Sequence, residues 1–198
     1  MNRPRTFDLD ELRERLTDVF VEHGYRGTSM SMLTEAAGLG RQSLYNAIGD
    51  KEAAYVQSLD CASQRNAVLK AAMEKAPTGR RAIERFFEEV VDVSVAPDPA
   101  QKNCILTAGL MEGIEAEAVA AKLREKWHEL CVELQSHVER GQADGSIRGD
   151  APAASMTTML ATLFLGIRVA ARTPTQRASL RKTVRWVLQL LDEGSPLP

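Results

Sequence analysis

The sequence predicts an all-α fold, in which a small N-terminal domain precedes a larger helical bundle. Apolar residues recur at three- and four-residue steps along nearly the whole chain of 198 residues, which is the spacing of helices packed on one face. Alternating runs of Val, Ile and Thr are nearly absent, and no Asn-Gly hairpin turn occurs. The content of 44% hydrophobic and 26% charged residues is ordinary for a soluble globular protein.

Composition and local motifs exclude several classes of protein. No apolar run approaches the roughly 18 residues of a membrane span, and the N-terminal stretch lacks the apolar segment of a signal peptide. We therefore expect a cytoplasmic protein with no membrane partner. The three cysteines are odd in number and scattered, so we expect no disulfide framework. Because phosphate loops, nucleophile motifs and metal-ligand clusters are also missing, the sequence predicts no enzyme, no cofactor and no metal site.

The first helix is predicted over about residues 8–23. Asp8, with a Glu three residues later, resembles a capping box, and apolar residues beginning at Leu9 form the buried stripe. Gly24 is placed as the C-terminal cap. After a short connector, Thr28 or Ser29 is expected to cap the next helix.

Two short helices joined by a tight turn are predicted over residues 28–51. Met32 and Leu33 begin the apolar face of the first of these helices, and Leu44 and Ile48 that of the second, with a glycine-containing break between the two helices. This is the geometry of a helix-turn-helix, whose second helix lies in the DNA major groove. The second helix exposes side chains suited to phosphates and base edges: Arg41, Gln42, Ser43, Tyr45 and Asn46.

The charge balance shows that DNA affinity must come from a few placed side chains. The whole chain carries a net charge of −2. Residues 1–51 contain seven Lys and Arg against eight Asp and Glu, which leaves one net negative charge in the predicted DNA-binding part. Binding to DNA depends on local neutralisation of phosphates. A basic face is nevertheless expected from Arg3, Arg5, Arg26, Arg41 and Lys51.

Six further segments complete a chain of about nine predicted helices. A long helix over about 51–75 follows the helix-turn-helix and ends before Pro77. The clearest break in the chain is the Ala-Pro-Asp-Pro stretch at 96–99, and residues 195–198 are expected to be a frayed tail. The remaining segments cover about 78–95, 101–113, 115–141, 151–172 and 175–193.

The last two predicted helices, 151–172 and 175–193, are candidates for a dimer interface. The first of them is apolar nearly all round, and a helix that is apolar on more than one face must be buried on more than one side. In a chain of this size, a second copy is a plausible partner. The predicted interface residues are Met156, Leu160, Leu163, Ile167, Val184, Val187, Leu188 and Leu191.

Residues from about 9 to 56 resemble the DNA-binding domain of TetR-family transcriptional regulators. The resemblance covers about a quarter of the chain, and the remainder matches the family in layout. The matching residues are Phe20, Gly24-Tyr25, Gly27-Thr28-Ser29, Ala36-Ala37-Gly38-Leu39, Leu44-Tyr45 and Lys51-Glu52.

The resemblance implies an Ω-shaped homodimer that binds a palindromic operator, usually represses, and is released by a small molecule in the C-terminal bundle. Residues 1–50 would bind DNA and extend into the linking helix 51–75, and residues 51–198 would bind ligand and dimerise. The alternative is a helical interaction or scaffold protein of the same fold without operator binding. Apolar and aromatic candidates for the ligand pocket are Phe86, Phe87, Met111, Trp127 and Phe164.

The sequence departs from the family pattern at three places in the helix-turn-helix. Gly40 stands where a Ser or Thr is common and removes a side-chain cap and a phosphate contact. Ala47-Ile48 replaces a pair that includes a His or Tyr before a Phe, so a backbone contact is lost. Asp50 is expected to cap the following helix while repelling a nearby phosphate. The predicted DNA contacts are Thr28, Ser29, Arg41, Gln42, Ser43, Tyr45, Asn46 and Lys51.

Three residues of the C-terminal part carry separate hypotheses. His128 and Cys131 lie three residues apart but have no evident third ligand, so a shared metal is not expected. Arg168 lies inside an otherwise apolar segment. We expect it either to pair with an acid across the dimer or to face an anionic ligand.

Overall fold

A computed structural model describes residues 8–65, 67–98 and 102–194, and these residues form an all-α structure without strands. The all-α prediction is confirmed. The predicted basic pair Arg3 and Arg5 and the predicted tail 195–198 lie outside the described residues. The helices are α1 Leu9–Gly27, α2 Met30–Ala37, α3 Arg41–Ile48, α4 Lys51–Arg65, α5 Ala67–Glu74, α6 Gly79–Ser94, α7 Ile105–Glu112, α8 Glu117–Ala143, α9 Ala153–Ala170 and α10 Arg177–Leu188, followed by a 3-10 turn at Gln189–Leu191.

The start of α1 differs from the predicted capping box. Asp8 caps the helix by accepting a hydrogen bond from the backbone N–H of Asp10, at 2.8 Å. Leu9 was expected in the buried stripe but is 43% exposed, because it lies on the first turn before the helix reaches the core. The stripe proper is buried and consists of Leu12, Leu16 and Phe20.

A kink at Gly24 interrupts α1 at the place where the sequence predicts its end. Gly24 has a φ of 71°, a conformation that L side chains rarely adopt, and α1 resumes for one more turn up to Gly27. Ser29 is the N-cap of α2 and accepts a hydrogen bond from the Met32 N–H at 3.3 Å. Of the two predicted caps, the structure therefore uses Ser29.

The two unusual residues flanking α3 act as expected. Gly40 is the N-cap of α3 and provides no side-chain hydrogen bond to it. Asp50 caps α4, because its carboxylate accepts a hydrogen bond from the Ala53 N–H at 2.9 Å. Gly38 ends α2 in the left-handed conformation, with a φ of 64°.

Backbone contacts divide the chain into two compact units. The first comprises Met1–Arg65 and Asn103–Lys126, and the second comprises Asn66–Lys102 and Trp127–Pro198. The first unit thus contains more than the helix-turn-helix, because α4 and α7 pack against α1. The predicted functional boundary at residue 50 stays a prediction.

The core of the first unit is built around Tyr55 of α4. Its ring packs edge-on against Phe20 and Tyr25, with centroid separations of 4.9 and 5.1 Å. Its hydroxyl donates a hydrogen bond to the Ile105 carbonyl of α7 at 3.1 Å. The buried residues Leu33 and Leu44 attach α2 and α3 to the same core.

In the second unit, α6 contacts α5, α9 and α10. Its N-terminus is placed by Gly79, which packs directly against the backbone of Gly141 and the carbonyl of His137 on α8. The Gly79 N–H donates to the Asp144 carboxylate at 2.8 Å. Further along α6, the buried face carries Phe86, Phe87, Val90 and Val91.

Candidate functional site

The exposed face of α3 carries five polar side chains on a buried apolar base. Leu44 and Ile48 are 1% and 5% exposed, and they attach the helix to the core of the first unit. Because these two residues are four apart, they lie on one side of the helix, and the polar positions point away from the core. The side chains left exposed are Arg41, Gln42, Ser43, Tyr45 and Asn46.

These side chains are suited to DNA recognition. Gln42 donates from its amide to the side-chain oxygen of Asn46, at 3.0 Å, which holds the two amides beside each other one turn apart. Both amides are able to pair with adenine, and Arg41 is able to pair with guanine. Tyr45, 55% exposed, presents a phenol suited to a phosphate.

A groove between α2 and α3 connects two of the predicted contact residues. It is open to solvent and has a volume of about 740 Å³. Ser29 and Arg41 both line it, so a predicted phosphate contact and a predicted base contact border the same depression. The other lining residues are Met30, Ser31, Thr34, Glu35, Gly38 and Leu39.

Thr28 makes a hydrogen bond within the chain. Its side chain is 2% exposed, and its hydroxyl donates a hydrogen bond to the Gly24 carbonyl at 2.6 Å. Thr28 therefore stabilises the kinked end of α1, and a phosphate contact by Thr28 stays a prediction. The neighbouring Ser29 is exposed, and its hydroxyl lies 2.7 Å from that of Ser31.

Lys51 begins α4 and lies over an aromatic ring. Its ammonium is 4.4 Å from the centroid of Tyr25, a cation–π contact. Burial lowers the pKa of Lys51 below its ordinary value, while the negative charge of Glu112 opposes that shift. A phosphate contact by Lys51 stays a prediction, and it would require the side chain to turn from this ring.

Glu112, at the end of α7, anchors the connector that leads into the helix-turn-helix. Its two carboxylate oxygens accept hydrogen bonds from the backbone N–H groups of Tyr25 and Arg26, at 3.0 and 2.7 Å. The Arg26 guanidinium donates to the Gly113 carbonyl at 3.1 Å. A side chain at Gly24 would overlap the Glu112 carboxylate, so this approach needs a glycine. Sequence patterns gave no signal for Glu112, because it lies 87 residues from Tyr25.

The helix-turn-helix region and the whole chain both match a known family. Residues 14–54 match the family model described as bacterial regulatory proteins, tetR family. The fold matches that of the TetR family transcriptional regulator CifR, solved as a cysteine mutant in complex with a 26-bp double-stranded operator DNA, with a TM-score of 0.85. The two chains are 30% identical, and the match covers 96% of this chain and 100% of CifR. The chain belongs to the TetR family of transcriptional regulators.

Two further TetR-like regulators are similar over most of the chain. The HTH-type transcriptional regulator YezE of Bacillus subtilis strain 168 is 28% identical over 152 residues, which cover 76% of this chain and 78% of YezE. The HTH-type transcriptional repressor ComR of Escherichia coli K12 is 24% identical over 187 residues, 92% of this chain and 87% of ComR. The chain is thus a DNA-binding transcriptional regulator of the TetR family.

The structure distributes the five predicted pocket residues of this TetR-family chain between its two units. In the second unit, Phe86 lies 5.1 Å from Phe87 and 6.0 Å from Phe164, measured between ring centroids. Trp127 is half-buried and also belongs to the second unit. Met111 belongs to the first unit and is 58% exposed. A role for these residues in ligand binding stays a prediction.

The predicted dimer stripe lies mostly inside the chain's own core. Met156, Leu160 and Ile167 of α9 are at most 5% exposed in the single chain, and α9 packs against α6. Val184 and Leu188 of α10 and the following Leu191 are likewise buried. These six residues pack within the single chain, and their role in a dimer interface stays a prediction. Only Leu163 and Val187 of the predicted set are half-buried.

The faces of α9 and α10 that remain exposed are different ones. Thr158, Thr162 and Gly166 are exposed at successive turns of α9, and Trp186 of α10 is 68% exposed. Within the described ranges, α9 is also the one helix whose length and apolar composition would suit a membrane span. Core helices of other proteins share this length and composition, and α9 packs on α6.

The described residues contain no cluster of three or more His, Cys, Asp or Glu side chains able to hold a metal ion. His128 is exposed and Cys131 is half-buried, and burial raises the pKa of the Cys131 thiol. Cys61 is buried and Cys104 half-buried, and no disulfide joins cysteines of the described residues.

Proposed function

We propose that this TetR-family regulator binds a palindromic operator as a homodimer through α3 and represses until a small molecule binds its second unit. The row of exposed polar side chains on α3, held on a buried apolar base, carries this proposal. CifR was solved on a 26-bp operator duplex, which supports the same kind of DNA target here. The name of ComR, a repressor, supports repression as the output.

The geometry of DNA binding follows from the proposed dimer. Two copies of α3 would enter successive major grooves about 34–36 Å apart. In each copy, Arg41, Gln42 and Asn46 would read base edges, while Ser29, Ser43 and Tyr45 would contact phosphates. A small molecule would weaken binding by moving α4 and hence this spacing. Its effect is limited to the difference between its affinities for the two conformations.

The proposal describes a binding protein of the cytoplasm and assigns it no catalytic step. Because few basic residues surround the helix-turn-helix, DNA affinity would depend on placed contacts and on the paired arrangement of two readers. The effect of salt on binding would nevertheless be steep, since each neutralised phosphate releases counterions.

Gel-shift assays with DNA flanking the regulator's own gene test the proposal. We expect binding at 50 mM salt that weakens by roughly a thousandfold or more at 200 mM if six or more phosphates are contacted. Arg41→Ala should weaken binding roughly 5- to 150-fold, corresponding to the loss of one base contact. Arg172→Ala is the matched control, because Arg172 is an exposed arginine in the second unit. Binding that is absent or insensitive to salt would favour the scaffold alternative.

A further inference from the structure

We propose that Arg168 is the anchor of an anion-binding site in the second unit, and that the effector is a carboxylate with an apolar body. This inference rests on the proposed function, which assigns effector binding to the second unit. It names the chemical class of the effector and the residue that recognises it.

Arg168 is a charged residue in an apolar helix, and no acidic side chain of the described residues pairs with it. It is the one charged residue of α9. Every Asp and Glu of the sequence lies among the described residues, yet none forms an ion pair with Arg168. Its Nε is buried and makes no hydrogen bond within the described structure. A charge held this way is unfavourable unless an anion compensates it.

The contacts of Arg168 orient its guanidinium without neutralising it. One terminal nitrogen donates to the hydroxyl of Ser94 on α6, at 3.0 Å. Ser94 is fully buried, and its hydroxyl in turn donates to the Val90 carbonyl. A neutral hydroxyl thus fixes the position of the guanidinium, and no carboxylate of the described residues neutralises its charge.

The acid nearest to this site in the sequence is committed elsewhere. Asp92 lies two residues before Ser94, but its carboxylate accepts hydrogen bonds from Arg181 at 2.8 and 2.9 Å. Arg177 also approaches Asp92, at 3.6 Å. Two other arginines therefore engage the Asp92 carboxylate.

The surroundings of Arg168 favour an organic anion over a small inorganic one. Phe164 lies one helical turn before Arg168 on α9, and its ring is 6.0 Å from that of Phe86. Phe86, Val90 and Ser94 follow one another at four-residue steps on the facing side of α6. A cationic fork next to aromatic rings matches a carboxylate joined to an apolar group.

The orientation of Arg168 argues against an acid from a second copy as its partner. Its Nε is buried within a single chain, and its guanidinium contacts α6 of that same chain. The exposed positions of α9, such as Thr162 and Gly166, lie on other faces of the helix. The light-scattering experiment below would nevertheless detect an acid of a second copy that pairs with Arg168.

Binding of octanoate and benzoate, followed by calorimetry and thermal unfolding, tests the inference. Acetate is a control that carries the charge without the large apolar group, and 1-octanol is a control that carries the apolar group without the charge. We compare the full-length wild type with Arg168→Met, and use Arg172→Met as the matched control. We expect at least one of the two apolar carboxylates to bind the wild type and Arg172→Met equally, and Arg168→Met at least tenfold more weakly. Acetate and 1-octanol should bind all three proteins at least tenfold more weakly than the better apolar carboxylate binds the wild type.

Unliganded stability provides a readout that needs no ligand. If Arg168 is kept for binding, Arg168→Met should unfold at the same temperature as the wild type or a few degrees higher, because the uncompensated charge is gone. The inference would be overturned if Arg168→Met unfolded at a lower temperature than the wild type and neither octanoate nor benzoate changed the unfolding temperature of any variant. Equal binding of the carboxylates to wild type and Arg168→Met would overturn it as well.

The oligomeric state separates the two partners considered for Arg168. Light scattering should give the same mass for Arg168→Met and wild type, whereas a monomeric variant would assign Arg168 to the interface and refute the site. Operator gel shifts distinguish this inference from the proposed function. If carboxylates bind through Arg168 but leave the operator complex intact, the proposed release from the operator is refuted, whereas the anion-binding site at Arg168 is not.

Discussion

The helix that presents the predicted DNA contacts, α3, and the helix that carries Arg168, α9, place their polar side chains in opposite environments. On α3, two buried apolar residues support a row of exposed polar ones. On α9, a single charge lies among apolar residues and has a buried nitrogen without a partner. The first arrangement is suited to binding a polar surface outside the protein, and the second is suited to binding a polar group inside the protein.

The two regions also differ in how closely their function depends on the packing of the core. The first unit places function on a face that can change without disturbing the core. The second unit combines function with packing, because the same helices supply the core and the candidate site. Substitutions on the exposed face of α3 should therefore change DNA binding without changing stability, whereas substitutions of core residues in the second unit should change both stability and ligand binding.

Among the glycine substitutions, the largest loss of stability is expected from Gly79→Ala in the second unit. A Cβ at Gly79 would overlap backbone atoms of Gly141 and His137, which cannot turn aside. We expect a loss of about 3 kcal/mol in the free energy of unfolding, at the upper end of overpacking effects. Urea unfolding measures it.

Gly24→Ala in the first unit is the informative comparison. Its positive φ costs about 1–2 kcal/mol, but the obstructing atoms belong to the flexible Glu112 carboxylate. Gly149→Ala is the control, since its Cβ meets open space. Equal losses for Gly79→Ala and Gly24→Ala would show that the overlap at Gly79 is relieved by movement of α8.

The next effect concerns the proposed homodimer and the exposed side of α9. Gly166 is exposed, and a Cβ there meets no other atom of the chain. Gly166→Arg should leave the chain folded but weaken dimerisation by about 100-fold, because a charge would be buried between two copies, a cost of about 3 kcal/mol. Sedimentation at decreasing concentration measures this change, with Ser136→Arg as an exposed control on α8.

Leu188→Asp tests the interface predicted from the sequence against the exposed face of α9 that contains Gly166. Leu188 is 2% exposed within the single chain, so a charge there should unfold the second unit. A folded monomer after Leu188→Asp would support the interface predicted from the sequence, and a stable dimer after Gly166→Arg would exclude the exposed face of α9.

Local patterns predicted the elements but not the contacts between distant segments. The spacing of Leu44 and Ile48 was enough to identify the exposed face of α3, because a helix fixes which residues share a side. The same reasoning placed Leu188 on a buried stripe but could not tell whether its partner was the same chain or a copy. The hydrogen bond from Thr28 to the Gly24 carbonyl was not predicted, because it depends on a kink that periodicity does not show.

A smaller effect is expected from Glu112→Gln. This substitution tests how far DNA binding is independent of packing in the first unit. The amide has one acceptor oxygen for two N–H donors and no charge, so the connector at Tyr25 and Arg26 should loosen. We expect about 1 kcal/mol less stability and roughly three- to tenfold weaker operator binding, measured by gel shift. Glu115→Gln, an exposed neighbour, is the control. Unchanged operator affinity would mean that the connector does not position α3.

The smallest effect is a pH dependence centred on Asp60 of α4 in the first unit. Burial alone would raise the pKa of Asp60, but hydrogen bonds from Lys126 and Lys122, each at 2.9 Å, lower it below its ordinary value. A carboxylate with a lowered pKa stabilises the fold above its unfolded pKa of about 4, and this contribution disappears as the pH falls through the folded pKa. Because the Asp60 side chain is 44% exposed, solvent screens the pair and the effect is small. The difference in unfolding free energy between wild type and Asp60→Asn should therefore be constant near neutral pH and shrink below about pH 4. A difference that persists unchanged to pH 3 would show that Asp60 acts through packing of α4 and not through its charge.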